Sequence, residues 1–417
     1  MREPEVPPPL RHHPDFRRLW IGQSISQLGS HITRAVLPII GVTLLAATPA
    51  QMGMLTAIGT APALLAGLFA GVWVDRLRRR PVMIISDLAR ALLLGMIPAA
   101  AAFGMLHIGL IYSVTFIAGI FSVFFDLADL SFLPSLIPPA RLVEANSRLR
   151  ASESIAEIAG PAIAGILLRA ITVPFAILAD AISFLASAFF IARIRTPEEP
   201  APVPENPQLR REIIEGFRLV LSMPVLRSVM AGSGAFYFFG SFIGALYWFY
   251  TLRLLMLDPI IVGVLIGLGG VGALGGAALA GRVGKRLGAG MSMIMSLFLF
   301  GAANLLLPLA GGAIHLRVGL PAIAQLVGDC MLTIYFINEV TVQQIMIPNQ
   351  MMGRAGSAMR IMGTGLGVLG LLIGGVVGEF AGVRLALAVG ALGICLAAIA
   401  LLASPLRSMH VPIDSTQ

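Results

Sequence analysis

Apolar residues in this chain fall in runs of helical length, and polar residues collect in the short intervals between them. Twelve runs of about 20 residues or more are each long enough to cross a ~30 Å hydrocarbon layer as a helix. They lie at 19–46, 51–74, 81–103, 108–136, 149–171, 174–194, 228–252, 259–281, 289–310, 319–346, 357–381 and 383–404. The pattern predicts an all-α membrane protein. After the sixth run the chain changes character. Thr196-Pro-Glu-Glu-Pro-Ala-Pro-Val-Pro-Glu-Asn-Pro207 is too rich in proline to be helical and reads as a semi-rigid spacer. Gln208 to Ser222 is amphipathic: Leu209, Ile213, Phe217, Val220 and Leu221 can share one face, while Arg210, Arg211, Glu212, Glu215 and Arg218 stay wet. Such a helix is expected to lie along the membrane surface. The predicted organisation is therefore a six-helix bundle at 1–195, a linker with an amphipathic helix at 196–227, and a second six-helix bundle at 228–417.

The two halves carry one pattern. Gly71-Val-Trp-Val-Asp75-Arg76-Leu77-Arg78 returns as Gly281-Arg-Val-Gly-Lys285-Arg286-Leu287-Gly288, 210 residues later. At the same offset Asp129 maps to Glu339, Ile137-Pro138 to Ile347-Pro348, Arg150 to Arg360, Gly160 to Gly370 and Gly165 to Gly375. Glycine matches come cheaply in a chain with 46 of them, but an acid deep in one apolar run matching an acid in its counterpart does not. Internal repeats of this kind are how many carriers are built.

Composition supports the membrane reading. Hydrophobic residues make up 57% of the chain, charged residues 12%, and the mean hydropathy is +0.89. A soluble protein of 417 residues has too little interior to hide that much apolar surface. The net charge of +8 could suggest nucleic acid, but its distribution argues otherwise. If both termini are cytoplasmic, 24 of the 29 Lys and Arg residues fall in cytoplasmic segments, including a group around 76–90. The other five are Arg34, Arg169, Arg253, Arg317 and Arg384. This is the positive-inside asymmetry, and it predicts a multi-pass protein with both termini in the cytoplasm. No nucleic-acid partner is expected. The excess of arginine over the single lysine points to a GC-rich bacterial genome, and the bacterial inner (plasma) membrane is the expected location. The start of the chain shows no short apolar core followed by a small-residue cleavage site, so a cleaved leader is not expected. Cys330 and Cys395 lie inside apolar runs and read as small core side chains. There is no Walker loop, no spaced Cys/His set for a metal and no nucleophile elbow, so no catalytic residues, metal or cofactor are predicted.

Gly71-x-x-x-Asp75-Arg76-x-x-Arg79-Arg80 resembles the signature loop between spans two and three of the major facilitator superfamily. Phe16-Arg-Arg-Leu-Trp20, Ser86-Asp87-Leu-Ala-Arg90, Ala145-Asn146-Ser147 and the Arg210–Arg227 segment resemble its drug-exporting branch, which includes macrolide-efflux and enterobactin-exporter proteins. The resemblance implies the major facilitator fold, with twelve transmembrane helices in two pseudo-symmetric six-helix bundles. It also implies that Gly71, Asp75, Arg76, Arg79 and Arg80 form a conformational latch, with Asp75 capping the positive end of span eleven near Gly353-Arg354. Two departures matter. Arg78 stands where the family usually has glycine, and Lys285 replaces the acid in the second copy, leaving the latch to the first half.

Ionisable groups inside a bilayer are costly and are therefore functional candidates. Asp126 and Asp129 are three residues apart in span four, Glu339 is the counterpart of Asp129 in span ten, and Glu153 and Glu157 are four apart in span five. Asp180, Asp329 and Glu379 complete the set. Two roles are open for these acids: pairing, for example of Asp126 or Asp129 with Arg79 or Arg80 as the resemblance implies, or binding and releasing a coupled proton. His31 and Arg34 form a second group in span one. The resembled branch commonly has Asp at the position of His31, and Arg34 is expected to pair with Glu157 or Asp180 or else to attract an anionic substrate. Gly160, Pro161 and Gly165 in span five look like a degenerate antiporter motif, with glycines for close helix approach and a proline for a gate. Phe236 and Phe239 in span seven are candidates for an apolar substrate cavity. The expected protein is a monomeric exporter of a hydrophobic, drug-like small molecule, driven by the proton gradient, with membrane lipids as its surroundings. A siderophore exporter or lysophospholipid flippase of the same fold is the alternative.

Overall fold

The computed structural model describes residues 10, 13–65, 77–197 and 209–409, apart from the side chains at 169, 170, 209 and 210. The described structure is α-helical. Its helices are α1 (Pro14–Ile39), α2 (Pro49–Leu65), α3 (Arg79–Ala102), α4 (Ile108–Leu136), α5 (Leu142–Ala170), α6 (Val173–Ala192) and α7 (Leu209–Ser222). They continue with α8 (Pro224–Phe249), α9 (Pro259–Leu287), α10 (Ala289–Asn304), α11 (Ile314–Met346), α12 (Met352–Phe380) and α13 (Val383–Leu401). Ten of the described spans are long and apolar enough to cross a membrane. Proline at the first turns of α1, α6, α8 and α9 marks where each helix starts, because a first-turn residue needs no amide hydrogen. Asp258 caps α9 by accepting from the Ile260 amide at 2.8 Å.

The duplication is built into the element boundaries. α1 and α8 start at Pro14 and Pro224, α2 and α9 at Pro49 and Pro259, α3 and α10 at Arg79 and Ala289, and α5 and α12 at Leu142 and Met352. α6 and α13 start at Val173 and Val383; every one of these pairs is 210 residues apart. Even an irregularity recurs. α1 ends in a π-helical turn at Ile40–Leu44 and α8 in another at Tyr250–Leu254. Each is followed by a left-handed non-glycine residue, Ala46 with φ 48° and Met256 with φ 53°. Left-handed backbone at an alanine or a methionine is strained and is held in place by its surroundings.

The described contacts divide the chain into two compact units, Met1–Leu45 with Ala61–Pro207 and Ala46–Thr60 with Gln208–Gln417. In the first unit α1 packs on α5 and α6, and α3 packs on α4 and α6. In the second, α8 packs on α12 and α13, and α10 packs on α11 and α13, which is the same pairing scheme. Two segments fall differently from the expected domain boundaries. The first turns of α2 go with the second unit because Gly53 lies against α12. A Cβ there would sit 2.5 Å from the Leu371 carbonyl oxygen and 2.9 Å from Gly375 Cα, and the Ala50 amide donates to Glu379 Oε2 at 3.2 Å. α7 also belongs to the second unit. Glu215 pairs with Arg354 at 2.6 Å, Gly216 meets the Arg354 carbonyl, and Val220 is fully buried in a core cluster that includes Leu226, Met293 and Tyr335. The inner part of its apolar face is thus covered by protein, while Ile214 and Leu221 remain exposed.

Glycines at helix crossings set the spacing inside each unit. A Cβ on Gly160 of α5 would lie 2.5 Å from His31 Cβ of α1, and one on Gly370 of α12 would lie 2.1 Å from the Phe238 carbonyl oxygen of α8. Only a hydrogen fits there. At the start of α1, ahead of the apolar run, Asp15 ties α1 to the chain leaving α6. Its Oδ2 accepts from the amides of Arg195 (3.1 Å) and Thr196 (2.9 Å) and from the Thr196 hydroxyl (2.7 Å), and its Oδ1 pairs with Arg18 at 2.5 Å. Burial alone would push this carboxyl up, but the four donors together hold it below its ordinary value.

Three outcomes are expected. Gly370→Ala should lower thermal stability in detergent by about 1–3 kcal/mol through overpacking. Gly365→Ala, where a Cβ meets open space, should be neutral or slightly stabilising. Asp15→Asn should cost roughly 1–3 kcal/mol at neutral pH. Because the folded carboxyl titrates below the unfolded one, that deficit should close as pH falls through the depressed folded value, as pH-dependent unfolding curves of the two proteins will show.

Candidate functional site

The strongest concentration of chemistry in the first unit is a buried charge on α3. Arg90 is eleven residues from the first residue of α3, about 16 Å along the helix at 1.5 Å per residue. That depth approaches the middle of a ~30 Å hydrocarbon layer. Its guanidinium forms an ion pair with Asp87, one turn back on the same helix, and Asp87 is fully buried. The two faces of the guanidinium are covered by Phe125 of α4 (4.5 Å to the ring centre) and Phe184 of α6 (4.1 Å). Ser122 Oγ of α4 accepts from Nη1 at 3.5 Å. One side chain therefore fastens three helices, its charge met by a carboxylate and its faces by two π systems. Among the described residues Asp87 Oδ2 and Arg90 Nε have no hydrogen-bond partner. The positive-inside reading assigned Arg90 to the cytoplasmic edge; the structure places it inside the bundle.

A second polar centre lies between α1 and α4, where Gln23 Nε2 donates to Asp129 Oδ1. The partner of Asp129 is thus a neutral amide and not Arg79 or Arg80. Arg80 instead donates to the carbonyls of Ile191 and Ala192 at the end of α6, which leaves those groups capped. The second unit holds the counterpart. Glu339 of α11 is buried and accepts from Ser233 of α8 at 2.5 Å and from Gln343 at 3.1 Å, and Ser233 shares a 3.0 Å hydrogen bond with buried Tyr335. Gln23 and Ser233 are themselves 210 residues apart, so acid and donor are duplicated together.

The remaining candidates are distributed as follows. Asp180 is buried at the α1–α6 contact and accepts from Ser183 at 3.0 Å, and Gly29 of α1 leaves room for both. Asp126 is exposed, one turn from Asp129. Glu153 pairs with Arg150 at 2.6 Å on an exposed face of α5. Glu157 and Arg34 are exposed, and neither makes an ion pair among the described residues, so the expected pairing of Arg34 with Glu157 or Asp180 is not formed. His31 is half-buried against Gly160. Pro161 and Gly165 are buried within α5, which runs unbroken from Leu142 to Ala170. Of the latch, Arg79 and Arg80 open α3, whereas Gly71, Asp75 and Arg76 lie outside the described residues. Lys285 is exposed in the last turn of α9.

The two phenylalanines separate. Phe236 packs edge-on against Phe300 (5.4 Å) and Phe336 (5.5 Å) in the helix core. Phe239 lines a cavity of about 340 Å³ on α8 and α12, with Arg227 also in its wall. The described residues contain no group of three or more His, Cys, Asp or Glu side chains able to hold a metal ion.

A repeated six-helix bundle with membrane-spanning helices and paired intramembrane acids defines a membrane transporter of the major facilitator superfamily, not an enzyme. The chain belongs to the family described as transmembrane secretion effector, which matches residues 7–416. It is 26% identical to the uncharacterized MFS-type transporter YfiS of Bacillus subtilis (strain 168), over 91% of this chain and 90% of that protein. It is 28% identical to the multidrug efflux pump Tap of Mycolicibacterium fortuitum, over 78% of this chain and 80% of that one. The fold matches that of a bacterial homologue of the iron transporter ferroportin with a TM-score of 0.72 and 17% identity, covering 93% of this chain and 98% of the other.

Removing either member of the α3 pair leaves an uncompensated buried charge. Arg90→Leu should therefore lower stability by about 3–5 kcal/mol. The repeat supplies its own repair, since the positions equivalent to Asp87 and Arg90 are Leu297 and Phe300. The double variant Asp87→Leu/Arg90→Phe should recover most of that loss in thermal unfolding of the purified protein.

Proposed function

We propose that this protein exports a hydrophobic or amphipathic small molecule from a bacterial cell across the inner membrane, by alternating access coupled to proton entry, with both termini in the cytoplasm. The observation that carries the proposal is the duplicated acid–donor pair. Asp129 and Glu339 occupy equivalent places in their units and face neutral donors, Gln23 and Ser233. A carboxyl held by an amide or hydroxyl can take up and give away a proton without first breaking an ion pair, which suits a coupling role. The asymmetry of Lys and Arg supports the orientation. The multidrug efflux pump among its relatives supports outward transport of drug-like molecules. His31, Arg34, Asp126 and Glu157 remain available for substrate or proton handling, Glu153 being held by Arg150, and Gly160 for the helix approach on which movement of α5 depends.

Inverted membrane vesicles with an imposed pH gradient, exposed to a panel of drugs, siderophores and lysolipids, provide the test. Uptake of one class with discharge of the gradient is expected, and the class that moves identifies the substrate. Asp129→Asn or Glu339→Gln should abolish gradient-driven accumulation while leaving downhill movement. If nothing on the panel moves and the gradient persists, proton antiport is excluded.

A further inference from the structure

The cavity beside α8 is open and almost wholly apolar, and it faces away from the buried acid of its own unit. On α8 the side chains of Ser233 and Phe236 point to Glu339, Phe300 and Phe336. The cavity uses other positions: Arg227, Ala231, Gly234 and Phe239, with Met362 and Leu366 from α12. Small residues make the hollow, since a Cβ on Gly234 would already approach Leu366 to 3.0 Å and Met362 to 3.2 Å. Phe239 lies at the far end, its ring against Gly393 of α13. From Arg227 to Phe239 is twelve residues, about 18 Å of helix, close to the depth of one leaflet of a ~30 Å hydrocarbon layer.

Among the described residues, Arg227 is the single charged group in the wall, and it stands at one end of this depth. Arg227 is exposed and lies in the first turn of α8, where the helix also presents its positive end. One cation at the surface level above an apolar slot one leaflet deep matches a molecule with one anionic head and a straight apolar chain. We propose that this groove binds an anionic phospholipid, with the phosphate on Arg227 and one acyl chain lying between α8 and α12. The site requires only that the chain crosses a bilayer, and stands independently of proton antiport.

Native mass spectrometry of the full-length protein, titrated with phosphatidylglycerol or phosphatidylcholine of identical chains, tests it. The wild type should retain phosphatidylglycerol in preference. Arg227→Gln should reduce that preference about fivefold, the effect of one basic side chain near an anionic headgroup, whereas Arg218→Gln on α7, outside the groove, should not. Ala231→Leu fills the slot from an exposed position and should weaken both lipids alike, with the thermal unfolding midpoint reported for each variant. Equal retention of the two lipids by the wild type overturns the proposal, as does an unchanged preference in Arg227→Gln. Displacement of bound lipid by a transported compound, with loss of transport in Ala231→Leu, would assign the groove to the substrate instead.

Discussion

A charge placed deep in an apolar layer must find its compensation within reach of its own side chain, and the first unit is arranged around that requirement. Arg90 cannot turn to water, so Asp87 neutralises it, Phe125 and Phe184 cover its faces, and Ser122 takes one of its hydrogens. Those partners come from α3, α4 and α6, so electrostatic satisfaction and helix packing become one condition. Neither can be relaxed alone. A buried pair of this sort is weak evidence for stability, because a well-packed apolar replacement is often as stable. The second unit provides that replacement at Leu297 and Phe300.

The same exchange recurs where α1 meets α6 and where α8 meets α13. In the first unit α1 offers Gly29 and α6 offers Asp180 and Ser183. In the second, α8 offers Phe239 and α13 offers Gly390 and Gly393, and these are the equivalent positions. The bulk has changed sides. Both arrangements allow close helix approach, but one fills the space with polar groups and the other with an aromatic ring. One scaffold thus supports a polar interior in one unit and an apolar, aromatic interior in the other.

Much of this fold could be read from the residues. Apolar runs gave helix number, and the 210-residue offset gave the repeat because matched acids, prolines and arginines are improbable by chance. The site was less legible, for identifiable reasons. Asp129 and Glu339 stood out as charges, but their partners Gln23 and Ser233 are uncharged and ordinary in a helix. They become conspicuous only when the offset is applied to neutral polar residues as well. Arg90 lies near a cluster of loop arginines in the sequence, and a charge count cannot distinguish a surface arginine from one that finds an acid three residues away on its own helix. The division of α2 depends on Gly53 meeting Gly375, a contact between glycines far apart in the chain, to which hydrophobic periodicity is blind.

The paired π turns order events in time. An extra residue in the final turn of α1, followed by a left-handed alanine, is an accident unlikely to arise twice at one register, yet Tyr250–Leu254 and Met256 reproduce it. The irregularity is therefore older than the doubling of the half-chain and was inherited by both descendants. Features found in one half only, such as Asp87 with Arg90 or the lysine at 285, mark the positions at which the two copies have diverged. The ancestor, on this chronology, already possessed the helix ends of the present protein before its halves acquired different interiors.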